Sequence, residues 1–202
     1  MDKKEQNLRF FNSWAKTYDR SFLLGYWLRR MQADVVSFVE KSKGLKLLDV
    51  GCGTGELLLM LSEKLENPGL YGIDISKNML MIAEKKLGGK ALLKISDVES
   101  LPFKDNEFDY VITCEAFHHY LNQNKAINEM KRVLKDGGKL IIADVNFFFD
   151  IFHRIFEIFE PGCVRINNRN EFIKMFELNG FNNIKQKRSN VCGVITYGIK
   201  VK

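Results

Sequence analysis

An apolar run, Leu45 to Val50, ends in three alternating glycines, Gly51, Gly53 and Gly55, and a leucine-rich stretch from Glu56 to Leu65 follows at once. No other segment restricts the fold as much. The pattern predicts strand, tight turn and helix, an arrangement that aims backbone N–H groups at a ligand. Glycine is needed there because a Cβ would obstruct both the turn and the approach. The spacing argues against a dinucleotide. That fingerprint, G-x-G-x-x-G, seats a pyrophosphate on the helix start, whereas this chain has G-x-G-x-G with Asp49 at the strand end. A carboxylate at that point repels a pyrophosphate and attracts a cation.

Further landmarks follow in order. Leu70–Asp74 is a short strand ending in an acid, and in a doubly wound sheet such an acid bonds ribose hydroxyls. Ser76 is placed to cap a helix over Lys77–Leu87. A strand over Ala91–Ile95 leads to Ser96, Asp97 and Val98, and Phe108–Thr113 reads as a fourth strand. Leu134–Asp144 reads as a helix end, a Gly-Gly turn and a fifth strand. Two helices open the chain, Asn7–Tyr18 and Tyr26–Lys41, the second with an apolar stripe through Leu28, Met31, Val35 and Val39. The tail holds a helix, Arg169–Asn179, with Gly180 as its C-cap, and strands near Asn183–Ser189 and Val191–Val201. Strands alternating with helices imply a parallel sheet with right-handed crossovers.

The pattern Asp-x-Gly-x-Gly-x-Gly at Asp49–Gly55 resembles motif I of the class I S-adenosylmethionine-dependent methyltransferases. Residues 47–144 as a whole resemble the methyltransferase type 11 domain, the branch that includes ubiquinone- and menaquinone-biosynthesis enzymes. Two more segments are similar to that branch: Leu101-Pro-Phe-Lys-Asp-Asn-Glu-Phe-Asp109 and Phe11-Asn-Ser-Trp-Ala-Lys-Thr-Tyr-Asp19. The resemblance implies an α/β fold, a doubly wound, seven-stranded, mostly parallel Rossmann-like sheet with an N-terminal helical cap and a helical insert after strand five. It implies S-adenosylmethionine as cofactor and S-adenosylhomocysteine as product. It assigns cofactor contacts to Asp49, Gly51, Cys52, Gly53 and Gly55 at the turn, and to Asp74, Ile75 and Met79 after strand two. Asp97 and Val98 fall at the adenine, Cys114 at the end of strand four, and Tyr18 at the methionine carboxylate.

The chain of 202 residues, 46% hydrophobic, is the size of one domain with one substantial core. We divide it into a cap (1–43), a cofactor-binding core (44–145), a lid insert (146–168) and a C-terminal helix with a strand hairpin (169–202). No apolar run approaches the ~20 residues that span a bilayer, and the N-terminus shows no secretory pattern, so a cytoplasmic location is expected. The four cysteines form no C-x-x-C pair and match no zinc module, so no metal is expected. A net charge of +6 raises the question of nucleic acid, but the lysines are scattered in twos and threes. The strand-four end, Cys114-Glu-Ala-Phe117, also lacks the prolines with which amino-directed nucleic-acid methyltransferases grip a flipped base. A small-molecule acceptor is therefore expected, with a cofactor-binding regulator lacking catalysis as the alternative and a nucleic-acid methyltransferase behind it.

Two regions carry the expected acceptor chemistry. His118 and His119, at the mouth of strand four, are the candidate catalytic bases, with Glu115 as a second polar contact; a structural histidine bonded to backbone is the competing reading. Tyr120 could wall the acceptor. In the insert, Phe148, Phe152, Ile155, Phe156 and Phe159 recur at helical spacing. They either cover the ligand crevice, with Phe152 and Phe156 against the acceptor, or dock on the domain as ordinary core.

Overall fold

The computed structural model describes the backbone of residues 3–18, 22–190 and 192–202, and the side chains of these except 16–28 and 190. Five strands alternate with helices: β1 (Lys46–Val50), β2 (Gly69–Asp74), β3 (Leu92–Ile95), β4 (Phe108–Cys114) and β5 (Leu134–Val145). Between them run α3 (Glu56–Lys64), α4 (Lys77–Leu87) and α5 (Gln123–Val133), preceded by α1 (Lys3–Tyr18) and α2 (Phe22–Ser37). After β5 come α6 (Asp150–Phe159), α7 (Arg169–Leu178), β6 (Phe181–Asn190) and β7 (Gly193–Lys200). The seven strands form one sheet in the order β3-β2-β1-β4-β5-β7-β6. β1 to β5 are parallel, and β7 runs antiparallel between β5 and β6.

Both faces of the sheet are buried, as a parallel sheet requires. Leu47, Tyr110, Ile112 and Ile141 point to one side, against Met31 and Val35 of α2, Val39 just beyond it and the leucines of α3. Leu48, Val111, Leu140 and Ile142 alternate to the other, against Ile127 and Met130 of α5 and Phe172 and Phe176 of α7. The strand order reverses between β1 and β4, which opens a crevice beyond their C-terminal ends.

Capping follows the sequence. Ser76 Oγ accepts from the Met79 N–H at 3.2 Å and starts α4 at Lys77. Asn168 and Glu171 form a reciprocal capping box on α7, and Gly180 follows its end at φ 68°. Some boundaries differ from expectation. α2 stops at Ser37, because Phe38 and Val39 donate to carbonyls three residues back and the turn tightens. α1 begins earlier, at Lys3, with a Glu5–Arg9 ion pair on its first turns. The glycines before the fifth strand form no separate turn. Leu134 already pairs with Phe108, and Lys139 with Tyr110, so Lys135–Gly138 bulge out inside β5.

The insert forms a helix, but its stripe is not core. Phe152 is 48% exposed, Ile158 77% and Phe159 78%, whereas His153 is only 5% exposed. The helix is anchored through its polar side: His153 Nε2 accepts from the Phe147 N–H at 2.9 Å, and the Glu157 carboxylate from the Ile166 N–H at 2.7 Å.

Candidate active site

A cleft of about 300 Å³ lies over the C-terminal ends of β1, β2 and β4. The turn after β1 shapes its floor. Gly51, Gly53 and Gly55 all adopt left-handed φ, 76°, 51° and 79°, conformations that disfavour a side chain. Their surroundings differ. A Cβ on Gly51 would meet Ala116 Cβ at 2.7 Å, and one on Gly55 would meet Ala83 Cβ at 3.0 Å, whereas one on Gly53 would meet no atom within 4 Å. Gly51 and Gly55 are thus glycines for packing, and Gly53 faces open space in the cleft.

The acids expected at this end line the cleft. Asp74 accepts from the Gly53 N–H at 2.9 Å and the Ser76 N–H at 2.8 Å, tying the turn to β2. Burial raises its pKa and these N–H groups oppose the rise. Asp49 is 3% exposed. Burial, and then the neighbouring Asp74, push its carboxyl up to about 8. Ile75, Met79, Val98, Cys52 and Cys114 also line the cleft. Burial, then nearby carboxylates, raise both thiols well above their ordinary value, so they are protonated fillers and not nucleophiles. Asp97 accepts from the Glu99 N–H at 3.0 Å and is paired with Lys4 of α1. Burial would raise its pKa, but these contacts outweigh it and hold the carboxyl low.

Opposite lies a polar cluster from the end of β4. His118 is buried, and its Nδ1 is 2.5 Å from Asp144 Oδ1, on β5. Burial alone would lower the imidazole pKa, but Asp144 raises it above the ordinary value. His119 packs against His118, its ring tilted by 46° with centroids 3.9 Å apart, and meets Phe11 edge-on at 4.8 Å. Burial and the adjacent His118 keep it neutral. Glu160, at the end of α6, joins them: it, His118 and His119 each bring one side-chain N or O atom within 4.8 Å of the others. Glu115, with a left-handed φ of 56°, is pushed up to about 8 by burial and by Asp144.

One sequence expectation changes, that for Phe152. Tyr120 borders the cleft, but its hydroxyl donates to the Val50 carbonyl at 2.9 Å and lies 2.8 Å from Thr113 Oγ1. Its hydroxyl braces the β1 end under Gly51, while the residue remains in the cleft wall. Phe152 is not among the cleft-lining residues, whereas Phe156 is; Phe152 lies on the outer face beside Phe149. The side chains of Tyr18 and Tyr26 lie outside the described residues. Sequence reasoning missed Asp144, Glu160 and the polar contacts by which α1 crosses the cleft. Asp144 closes a strand as Asp49 and Asp74 do, a signal that was present. Asn12 of α1 accepts from Ser76 Oγ at 2.8 Å, and Asn7 donates to the Gly162 carbonyl at 3.0 Å, so α1 straps the cleft from end to end.

A family model described as "Methyltransferase domain" matches residues 48–142. The demethylmenaquinone methyltransferase of Staphylococcus aureus is 30% identical over 214 residues, covering 90% of this chain and 87% of its own length. The chain belongs to the S-adenosylmethionine-dependent methyltransferases. An S-adenosylmethionine-dependent methyltransferase of Aquifex aeolicus superposes with a TM-score of 0.70 at 23% identity, over 84% of this chain and 89% of the other. Phosphoethanolamine N-methyltransferase 2 of Haemonchus contortus, solved with S-adenosyl-L-methionine, gives 0.74 at 15% identity, over 95% of this chain and 60% of the other.

The residues of this methyltransferase fit S-adenosylmethionine. Gly53 leaves the floor open for close backbone approach, Asp74 offers at the β2 end a carboxylate of the kind that would bond ribose hydroxyls, and Asp49 is a buried acid whose ionised form a cationic ligand would stabilise. No helix of the described residues is long and apolar enough to cross a membrane.

Proposed function

We propose that this methyltransferase methylates a small, largely apolar acceptor of the hydroquinone type, with His118 as general base. The buried His118–Asp144 pair at the mouth of β4 carries the reading. The name of the Staphylococcus aureus relative, demethylmenaquinone methyltransferase, supports the acceptor class, as do Phe11, Trp14 and Phe156 in the cleft lining. Asp49, Gly51–Gly55, Asp74, Ile75, Met79, Asp97 and Val98 would hold the cofactor.

Bound S-adenosylmethionine supplies a methyl group already activated by its sulfonium. The protein's task is then alignment and exclusion of water, and alignment alone is worth about 7–11 kcal/mol. Asp144 accepts the Nδ1 proton of His118 and so fixes the tautomer whose Nε2 holds the lone pair. That Nε2 takes the acceptor's hydroxyl proton, which makes the ring more electron-rich and a better nucleophile. Asp144 also stabilises the imidazolium that results. His119, kept neutral, offers a hydrogen bond without adding charge, and Phe156 walls the acceptor off from water.

His118→Asn should lower kcat with a hydroquinone acceptor by about 100- to 10,000-fold while leaving cofactor affinity unchanged. Asp144→Asn should fall between this variant and the parent. The measurement is S-adenosylhomocysteine formed per turnover, beside calorimetry of cofactor binding. A folded His118→Asn protein with unaltered kcat refutes the base, and no product from any hydroquinone refutes the acceptor class.

A further inference from the structure

α6 is amphipathic the wrong way round. A helix on a globular surface ordinarily turns its apolar stripe to the core and its polar side to water. Here His153, Glu157 and Glu160 face the protein, and Ile151, Phe152, Ile155, Ile158 and Phe159 face out, every one of them at least 43% exposed. Phe148 and Phe149, just before the helix, extend the patch at 63% and 66% exposure. Singly exposed apolar residues need no explanation, but a contiguous patch of large side chains marks a contact surface.

The surroundings of the patch are cationic. The Arg188 guanidinium lies 3.7 Å over the Phe148 ring. A shallow depression beside it is lined by Arg169 and Arg188, with Asp150 as its one acid, along with Asn146, Asn168 and Gln186. Arg154 is exposed on the flank of α6, and of its acids only Asp150 is exposed, since Glu157 and Glu160 turn inward. The whole chain carries +6. An outward apolar face with an arginine rim is what an in-plane helix at a lipid interface presents, and anionic headgroups complement the rim. A second copy of the chain would instead bring arginine rim against arginine rim.

We propose that α6 is the docking surface by which the methyltransferase sits on an anionic lipid bilayer, its apolar face in the acyl boundary and Arg154, Arg169 and Arg188 at the lipid phosphates. The inner side of the same helix carries Phe156 and Glu160 into the cleft, so docking sets the cleft beside the bilayer. An apolar acceptor then reaches it without crossing water.

The test is co-sedimentation of the full chain with phosphatidylcholine vesicles, with and without phosphatidylglycerol, in the absence of acceptor. Binding is read without methyl transfer, so its failure leaves the reading of His118 untouched. The parent protein is expected to sediment with the mixed vesicles and far less with phosphatidylcholine alone. Ile155→Asp combined with Phe159→Asp should weaken this by on the order of 100-fold, each buried side chain being worth about a factor of ten or more. Arg154→Glu with Arg169→Glu should remove the preference for phosphatidylglycerol. Both pairs are exposed positions, and unchanged cofactor affinity confirms that the variants fold. Equal binding to both vesicle types, or binding that survives the aspartates, overturns the proposal. So does a dimer in solution that the aspartates dissociate, since a second copy would then cover the face.

Discussion

Asp49 stands at the end of β1 with its carboxyl pushed up to about 8 by burial and by Asp74. At neutral pH the cofactor-free protein therefore holds a proton there. A sulfonium or ammonium beside it favours the ionised form, so cofactor binding expels that proton. Affinity for S-adenosylhomocysteine, whose ammonium suffices, should rise with pH and level off above about 8. Calorimetry in buffers of different ionisation enthalpy should show proton release below that pH, and Asp49→Asn should abolish it. Stability without cofactor runs the other way. The folded pKa lies above the ordinary 3.8, so this group's contribution is full below that value and is lost as pH rises through about 8. A cofactor affinity independent of pH across this window would remove Asp49 from the site.

The turn between β1 and α3 separates two uses of glycine. At Gly53 a Cβ meets no atom within 4 Å, so Gly53→Val bears chiefly the cost of its left-handed backbone, about 1–3 kcal/mol. A fold stable by about 5–15 kcal/mol survives that, yet the valine fills the approach to the ligand. The expected outcome is a folded protein with no measurable cofactor binding. Gly51→Ala should instead lower the melting temperature, because its Cβ lands 2.7 Å from Ala116. Unchanged cofactor affinity in folded Gly53→Val would move the ligand elsewhere. At this scale the sequence was a good guide wherever an element announces its own ends. Ser76 and Leu87 bound α4 as read, because a capping serine and a following glycine are local signals. Elements whose limits depend on partners were misjudged. The start of β5 is set by pairing of Leu134 with Phe108 on β4, and the orientation of α6 by hydrogen bonds to Phe147 and Ile166. Periodicity identifies a stripe, but not which side of the helix faces the protein.

At the scale of the whole molecule, the parallel run of β1 to β5 followed from the alternation of strands and helices, and the doubly wound seven-stranded sheet from the family resemblance. Asp144 and Glu160 did not, since they meet His118 only when β5 and α6 are brought beside β4. Nor did the position of α1, whose described polar contacts across the cleft include Lys4 with Asp97, Asn12 with Ser76 and Asn78, and Asn7 with Gly162. The Lys4–Asp97 pair is substantially exposed on both sides, and such pairs contribute about 0–1 kcal/mol. α1, most of whose described side chains are exposed or half-buried, opens more often than β1 and β4, whose side chains are buried in the two core clusters. Yet Phe11, Trp14 and Asn7 of α1 line the cleft, so a ligand filling it gains contacts only in the closed state and must favour that state. Amide hydrogen exchange should accordingly be faster in α1 than in β1 and β4 without ligand, and should slow in α1 on adding S-adenosylhomocysteine. Exchange in α5, whose buried face packs on the opposite side of the sheet from α2 and α3, should change much less. If α1 is protected to the same extent with and without the ligand, it is a fixed wall and not a strap, and acceptor and cofactor must enter by another route.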